Sequence, residues 1–419
     1  YTADQDGARQ IVWEHQIGET GSSNQYNVGF DKQQVYLSQG TSLQAFDRDD
    51  GSPLWETVLS DEVNFQCVSC IRPVKDRVIV LTADNILEAF DTHSGRSAWQ
   101  VTLEDKTFSY PDAGQVAFAV VGDKVMLLDD VEIDGRAEAG LFFYDIESGE
   151  RVQEIIPRCP DIDQFFDDDS ISDDGQLFIN EQTGDLITLF GTAFVSQMCL
   201  QKWNAHNGEL IWETRLPEDI GAHSNVDEGL FTETSFSPFA VYTSDLLLTT
   251  LDISPDHPNA GIMQFDLTNG DILLQISDED YQMTPIGRQG DVVLLLAEKQ
   301  RGSKQFEIWG VDANSGERIW RHIIQADYLY EQDPFDDKFS YRLQPDGLIL
   351  IQLLTDSDPA NLTVQKLNTA DGELLYDVEN PVTDDYWSGL TWTPNNAYLI
   401  LRALVGVDLQ TGTAVQDWP

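Results

Sequence analysis

The residues best suited to chemistry crowd into one stretch, Cys159–Gly175. There Asp161, Asp163, Asp167, Asp168, Asp169, Asp173 and Asp174 face a single neighbouring base, Arg158. Carboxylates at this density attract a basic protein surface, and their oxygens can hold a hard cation such as Ca²⁺. Ser170–Glu181 follows part of a calcium-loop pattern, with Asp174, Gly175 and Glu181 in register. Asp167, Asp169, Asp174 and Glu181 are therefore the metal candidates. Ser170 and Ser172 stand at the first and third ligand positions, where that loop requires stronger oxygen donors. The expectation is a solvated acidic loop that meets a protein partner through its seven aspartates.

The chain has four cysteines. Cys159 lies in the acidic stretch and Cys199 near the start of a later strand at the same end, so a Cys159–Cys199 disulfide would pin the loop. Cys67-Val68-Ser69-Cys70 is a lone CxxC. Structural zinc needs four ligands, and a redox CxxC leads into a helix, for which no pattern exists here. Residues i and i+3 are ~10 Å apart in an extended strand, so Cys67 and Cys70 either staple a local turn or remain two separate thiols. The six histidines form no HxH or HExxH, and the chain has no Gly-rich phosphate loop and no GxSxG elbow. His93 and His206 fall at variable positions of a repeated turn and are expected in solvent; His223 and His257 fall in long loops. No catalytic residue emerges. Asn361-Leu362-Thr363 is a glycosylation sequon, meaningful only in a secretory context that glycosylates.

These residues hang on a repeat. Ala45-Phe46-Asp47-Arg48-Asp49-Asp50-Gly51-Ser52-Pro53-Leu54-Trp55 returns as Ala89–Trp99, with Asp91, Gly95 and Trp99 in the same places. Asp312, Gly316 and Trp320 give a third copy; Asn204, Gly208 and Trp212 give a fourth. Weaker copies turn at 145–149, 266–270, 368–372 and 408–412, making eight with 47–51, 91–95, 204–208 and 312–316. In each, Asp or Asn bonds the backbone just ahead of it, and Gly supplies the positive φ that closes the reversal. A strand then leaves carrying a large apolar anchor four residues after the Gly. Gln153, Leu274, Tyr376 and Gln416 replace Trp in the other copies. Further turns at 31–33, 75–76, 122–123, 183–185, 243–245, 289–291, 345–347 and 394–396 complete a four-stranded unit with a mean period of about 52 residues. Asp47, Gly51, Trp55 and their equivalents thus read as architecture.

The acidic excess is large: 73 Asp and Glu against 24 Lys and Arg, a net charge of −49, and only nine of the bases are Lys. Such a chain repels nucleic acid and anionic lipid. The longest apolar runs, such as Val292–Ala297, have strand length and fall short of the ~18–20 residues of a membrane helix. The sequence opens at Tyr1, which is read as a removed or omitted leader or anchor and so as an extracytoplasmic address.

The Ala-Phe-Asp-x-x-x-Gly-x-x-x-Trp units at 45–55 and 89–99, with Asp312–Trp320 and Asn204–Trp212, resemble the quinoprotein-like family of PQQ-type repeats. The resemblance runs over residues 11–417 and implies an all-β, eight-bladed β-propeller of four-stranded antiparallel blades. It also implies that residues 11–17 pair beside 398–408 to close the ring, with 1–10 left as a tail. The loops at 129–139, 157–175, 217–235, 251–260, 326–338 and 354–361 then share one end of the blades. The enzyme branch of the family stacks pyrroloquinoline quinone on a disulfide of adjacent cysteines beside Ca²⁺ and an Asp base. No adjacent Cys pair and no haem-attachment CxxCH occurs here, so no cofactor is expected. The expectation is a non-catalytic scaffold with a protein partner in an extracytoplasmic or membrane-associated complex. The alternatives are a PQQ-dependent dehydrogenase or the structural subunit of a cell-surface layer or filament.

Overall fold

The computed structural model describes the chain outside residues 1, 4–8, 11–25, 64–69, 104–117, 134–135, 158–174, 182, 193–194, 218–219, 221–228, 233–239, 244, 253–259, 300–305, 325–338, 355–359, 383–388, 393–395, 401–403 and 419. Every regular element among the described residues is a β-strand. The chain divides into two compact units, Tyr1–Ser235 and Phe236–Pro419.

The first unit opens with a two-stranded pair, β1 (Thr2–Ala3) and β2 (Arg9–Gln10). Four antiparallel meanders come next. They are β3–β6 (Tyr26–Phe30, Gln34–Gln39, Ser42–Asp47, Pro53–Val58), β7–β10 (Ile71–Val74, Arg77–Leu81, Ile86–Asp91, Ser97–Thr102), β11–β14 (Phe118–Val121, Lys124–Ile133, Arg136–Asp145, Arg151–Ile155) and β15–β18 (Gly175–Ile179, Asp185–Thr192, Val195–Asn204, Glu209–Arg215). The last of these carries a fifth strand, β19 (Gly229–Thr232), on its inner edge. The second unit repeats the meander four times. Its sheets are β20–β23 (Ala240–Tyr242, Leu246–Asp252, Ala260–Asp266, Ile272–Ile276), β24–β27 (Tyr281–Gln289, Val292–Lys299, Phe306–Asp312, Arg318–Ile324), β28–β31 (Phe339–Gln344, Gly347–Leu354, Ala360–Leu367, Leu374–Val382) and β32–β35 (Gly389–Trp392, Asn396–Ile400, Leu404–Asp408, Ala414–Trp418). Each sheet has the blade form of a β-propeller, the class expected from the repeat. Residues 11–17 lie outside the described residues. In the last sheet both sides of β34 are already taken, by β33 and β35.

The repeated turn forms as its residue types require. All eight glycines sit at positive φ, from 64° at Gly95 to 80° at Gly270. In each turn the Gly N–H closes on the carbonyl of the Asp or Asn four residues earlier, 2.9 Å at Gly51 and 2.7 Å at Gly208. The Asp side chain does the rest: Asp312 Oδ1 accepts from the N–H groups of Asn314 at 3.0 Å and Ser315 at 2.8 Å. Such bonds favour the charged carboxylate. The Ser94 and Thr268 hydroxyls hold Asp91 and Asp266 below the usual carboxylate range, and the Ser148 and Ser315 N–H groups do the same for Asp145 and Asp312. A carboxyl whose pKa is lower folded than unfolded stabilises the fold above its unfolded value, and that stability vanishes as pH falls through the folded value. The thermal midpoint should therefore drop as pH falls below about 4. Asn at these four positions, already used at 204 and 368, should flatten the drop. The comparison of wild type with the fourfold Asp→Asn variant by melting against pH isolates this effect from relief of the general negative charge, which both proteins share.

The anchor residue does more than fill its own sheet. Trp55, at the middle of β6, lies on Gly95 of the next sheet, where an added Cβ would meet Trp55 Cε3 at 2.5 Å. Its Nε1–H donates to the Thr92 carbonyl at 2.7 Å. Trp99 repeats this on Gly149 and the Ile146 carbonyl (2.8 Å), and Trp320 on Gly372 and the Thr369 carbonyl (3.0 Å). Tyr376 places its ring against Gly412 and its hydroxyl on the Leu409 carbonyl at 2.8 Å. Gln153, which the sequence marks as a polar gap in the pattern, keeps the bond by donating from Nε2 to the Ala205 carbonyl at 3.1 Å. The glycine therefore serves twice, in its own turn and as the platform for the preceding sheet's anchor.

Anchor size is balanced across the strand pair in six of the eight copies. Trp55, Trp99 and Trp320 stand opposite Ala45, Ala89 and Gly310, whereas Gln153, Leu274 and Tyr376 stand opposite Phe143, Gln264 and Lys366. Trp212 opposite Lys202 and Gln416 opposite Gly406 depart from it. Interiors pack at crystal-like density, which favours a larger neighbour beside a smaller anchor. The match is imperfect at Gln264, which is fully buried with neither side-chain amide atom hydrogen-bonded among the described residues. Gln264→Met keeps the volume and removes the desolvation cost of the amide. It should raise the unfolding free energy by about 1–3 kcal/mol, read from denaturant melts; a loss of stability would mean that the amide is satisfied after all.

Candidate partner-binding site

In a meander the first and third turns lie at one end of the sheet and the second turn and the exit at the other. The Asp/Asn–Gly turns occupy the first of these ends, so the long connections gather at the second. In the first unit the departures from a plain meander fall in its third and fourth sheets. The stretch 129–139, read from the sequence as a loop, is the end of a hairpin. β12 and β13 pair without a break to Ile133↔Arg136, leaving two residues for the turn. Val131 and Ile133 carry the strand pattern through, and acids alternate with them. The ladder sets Asp129, Asp130 and Glu132 opposite Gly140, Ala139 and Ala137, so no two acids face each other. In the fourth sheet β16 and β17 extend to Thr192↔Val195, with a register shift between Gly191 and Thr192.

Between these sheets runs the acidic stretch. Asp161, Asp163, Asp167, Asp168, Asp169, Asp173 and Asp174, with Cys159, lie outside the described residues. Within the calcium-loop pattern Gly175–Ile179 is strand β15, paired on both sides; the candidates Asp167, Asp169 and Asp174 lie outside the described residues. Glu181 is otherwise engaged: its Oε1 pairs with the Arg72 guanidinium and accepts the Val120 N–H at 3.1 Å. That carboxylate ties together the inner strands β7, β11 and β15. Among the described residues no group of three His, Cys, Asp or Glu is placed to hold a metal.

Cys199 in β17 is buried and disulfide-bonded, and so is Cys70 just before β7; Cys67 and Cys159 lie outside the described residues. Of the histidines, His206 is less free than its turn position suggests. Its ring packs over Gly122 and Gly184, and its carbonyl accepts the Lys124 ammonium at 2.5 Å. Lys124 also donates to Gln153 Oε1 at 2.6 Å, so the joint that lacks a Trp is held by a polar cluster instead. His93 is exposed beside the Thr92 hydroxyl at 3.1 Å. His15, His223 and His257 lie outside the described residues, as do residues 253–259, 325–338 and 355–359 of the remaining long connections.

The arrangement offers strand edges, hairpin ends and carboxylates, the means of binding a protein. Residues 3–158 match the family model described as outer membrane protein assembly factor BamB, and the chain resembles this PQQ-repeat family. No curated protein matches the chain. Among solved structures it is similar to BamB from Moraxella catarrhalis, at 13% identity over 89% of this chain and 90% of that one, with a TM-score of 0.47. It is also similar to the quinohemoprotein alcohol dehydrogenase from Comamonas testosteroni, at 13% identity over 93% and 73%, TM-score 0.43. A computationally designed protein, Ika8, aligns at 12% identity over 94% and 95%, TM-score 0.39.

Proposed function

We propose that this protein is a non-catalytic assembly scaffold working outside the cytoplasm. It presents the acidic connection end of its third and fourth sheets to a basic protein partner in a membrane-associated complex. The observation that carries the reading is the concentration of the extended hairpins, the aspartate run and the added strand β19 in two adjacent sheets, while the first two sheets remain plain meanders. The match to an outer-membrane assembly factor over residues 3–158 supports the same class of role and the extracytoplasmic address. Loops on a rigid β scaffold are the usual carriers of function, and surplus negative charge speeds encounter with a positive partner and fixes its choice. In this reading Cys159 bonds Cys199, tethering the aspartate run to β17, and Cys67 bonds Cys70.

Nine lysines give little purchase to amine cross-linkers, so the test uses carboxylates. Zero-length cross-linking on the protein purified gently from its source should join acids of 129–139, 157–175 and 217–235 to lysines of one recurring foreign protein. Links only between copies of this chain would replace the scaffold with a structural subunit. No links, together with a retained visible chromophore and dye-linked alcohol oxidation, would replace it with a quinone enzyme.

A further inference from the structure

Each meander ends in an outer strand, the one that carries the anchor, and among the described residues no further strand lies on it. Apart from Val28 and Phe30 in β3, every exposed large apolar side chain among the described residues belongs to one of these outer strands. An edge dressed in this way is a template for another strand, and its charges decide which strand it accepts.

Two of the edges are complementary. Counted from the turn glycine, positions three, five and seven are exposed: Leu54, Glu56 and Val58 on β6, and Ile319, Arg321 and Ile323 on β27. The four apolar residues are between 45% and 75% exposed. Position five is Asp or Glu on five of the eight outer strands, Gln on two and a base only on β27. Among the described residues β6 alone of the acidic strands sets exposed large apolar residues on both sides of its acid. The Ser42 hydroxyl at 2.8 Å and the Gln44 amide at 3.3 Å hold Glu56 Oε1 in place. Arg321 reaches Glu307 through Nη1 at 3.6 Å, longer than a hydrogen bond, and its side chain is 53% exposed.

We propose that β27 of one copy receives β6 of a second copy as an antiparallel edge strand. The register sets Glu56 against Arg321, Leu54 against Ile323 and Val58 against Ile319, an ion pair between two apolar pairs. Both strands hold the same place in the repeat, and the ladder shifts at the same step in each, between Ala45 and Phe46 and between Gly310 and Val311. The main-chain groups that point out of the two edges therefore have the same positions in the repeat. This register sets them against one another, as an antiparallel ladder requires. Because the edges differ, each copy offers one of each, and association runs head to tail instead of stopping at a two-fold pair. The net charge of −49 on every copy opposes it. Salt shortens the reach of that repulsion from ~10 Å at 0.1 M to ~3 Å at 1 M and leaves the apolar pairs intact. Association should thus strengthen with salt, whereas a basic partner on the acidic connections would weaken. The proposal goes beyond the assembly reading and does not rest on it.

Sedimentation velocity on the full chain, from about 0.1 to 1 M salt, tests it. The wild type should form growing head-to-tail species as salt rises. Glu56→Arg and Arg321→Glu should each weaken association at least roughly tenfold, because like charges then face each other. An equimolar mixture of the two variants should restore it, since each supplies the charge that the other has lost. Ile319→Asp, which brings an acid beside Glu56, should also break association. It answers the question if Arg321→Glu melts early through its approach to Glu307. A wild type that stays monomeric at every salt, association that weakens as salt rises, or a Glu56→Arg protein that associates like the wild type would overturn the proposal. So would a mixture of folded variants that stays monomeric. Each of these results leaves the cross-linking test of the scaffold reading untouched.

Discussion

Replacing Trp320 by Ala should cost about 3–5 kcal/mol of stability in the second unit, the range for removing a buried Trp. The side chain is 8% exposed, lies over Gly310 of its own sheet and against Gly372 of the next, and donates to the Thr369 carbonyl. Truncation therefore opens a cavity between two sheets and leaves a carbonyl without its donor. Trp320→Phe keeps most of the ring and should lose only about 1 kcal/mol, the share of the hydrogen bond. The natural Phe143/Gln153 pair suggests a stricter test, because there a large cross-strand neighbour accompanies a small anchor. Trp320→Gln with Gly310→Phe should be less damaging than the two single changes summed, each of which either empties or overfills the site. Hydrogen exchange on the amides of β26, β27 and β30 reads the local free energy of each variant. Strict additivity would mean that the pairing of anchor and neighbour sizes carries no energy.

How far such couplings can be read from the sequence depends on their range. The Asp-x-x-x-Gly turn is legible because its bonds close within five residues, and the structure places all eight glycines at positive φ. The landing of Trp55 on Gly95 is not legible from one copy, since the two residues belong to consecutive copies and meet only when the sheets pack. Gln153 is the informative exception: it breaks the apolar pattern but keeps a donor where the indole N–H would be.

The candidate site is legible as composition and less so as form. Asp129, Asp130 and the Ile133–Arg136 interval look like a loop because they hold turn residues, yet Val131 and Ile133 keep the two-residue alternation that makes 124–145 a hairpin. Strand β19 is only four residues between Glu228 and Glu233, too short for alternation to show, and its partner lies more than fifty residues back. The Glu181 carboxylate matches a ligand position in a spacing pattern. Its true neighbours, Arg72 and the Val120 N–H, are brought by packing that no local spacing records.

Glu307 gives the second large effect, and it too is invisible in the sequence. It sits in β26 at 1% exposure, where an uncompensated carboxylate would be costly. Its Oε1 accepts the Tyr281 hydroxyl at 3.1 Å and its Oε2 the Trp309 indole N–H at 2.7 Å. The two rings pack edge to face at 4.8 Å, and the Arg318 guanidinium covers Trp309 at 4.2 Å. Burial, and then the nearby carboxylate, push the Tyr281 hydroxyl pKa up, so it stays a donor. Arg321 approaches Oε1 at 3.6 Å but is 53% exposed, so its pairing is screened by solvent. The network therefore rests on the two neutral donors. Glu307→Ala should strand both in a dry site and cost about 2–5 kcal/mol, whereas Arg321→Ala should cost about 1 kcal/mol or less. Glu307→Gln retains one acceptor for the indole and should fall between them. Exchange rates of the β25–β27 amides in the three variants give the order. Equal losses for Glu307→Ala and Arg321→Ala would mean that the ion pair, and not the pair of buried donors, holds this sheet's carboxylate in place.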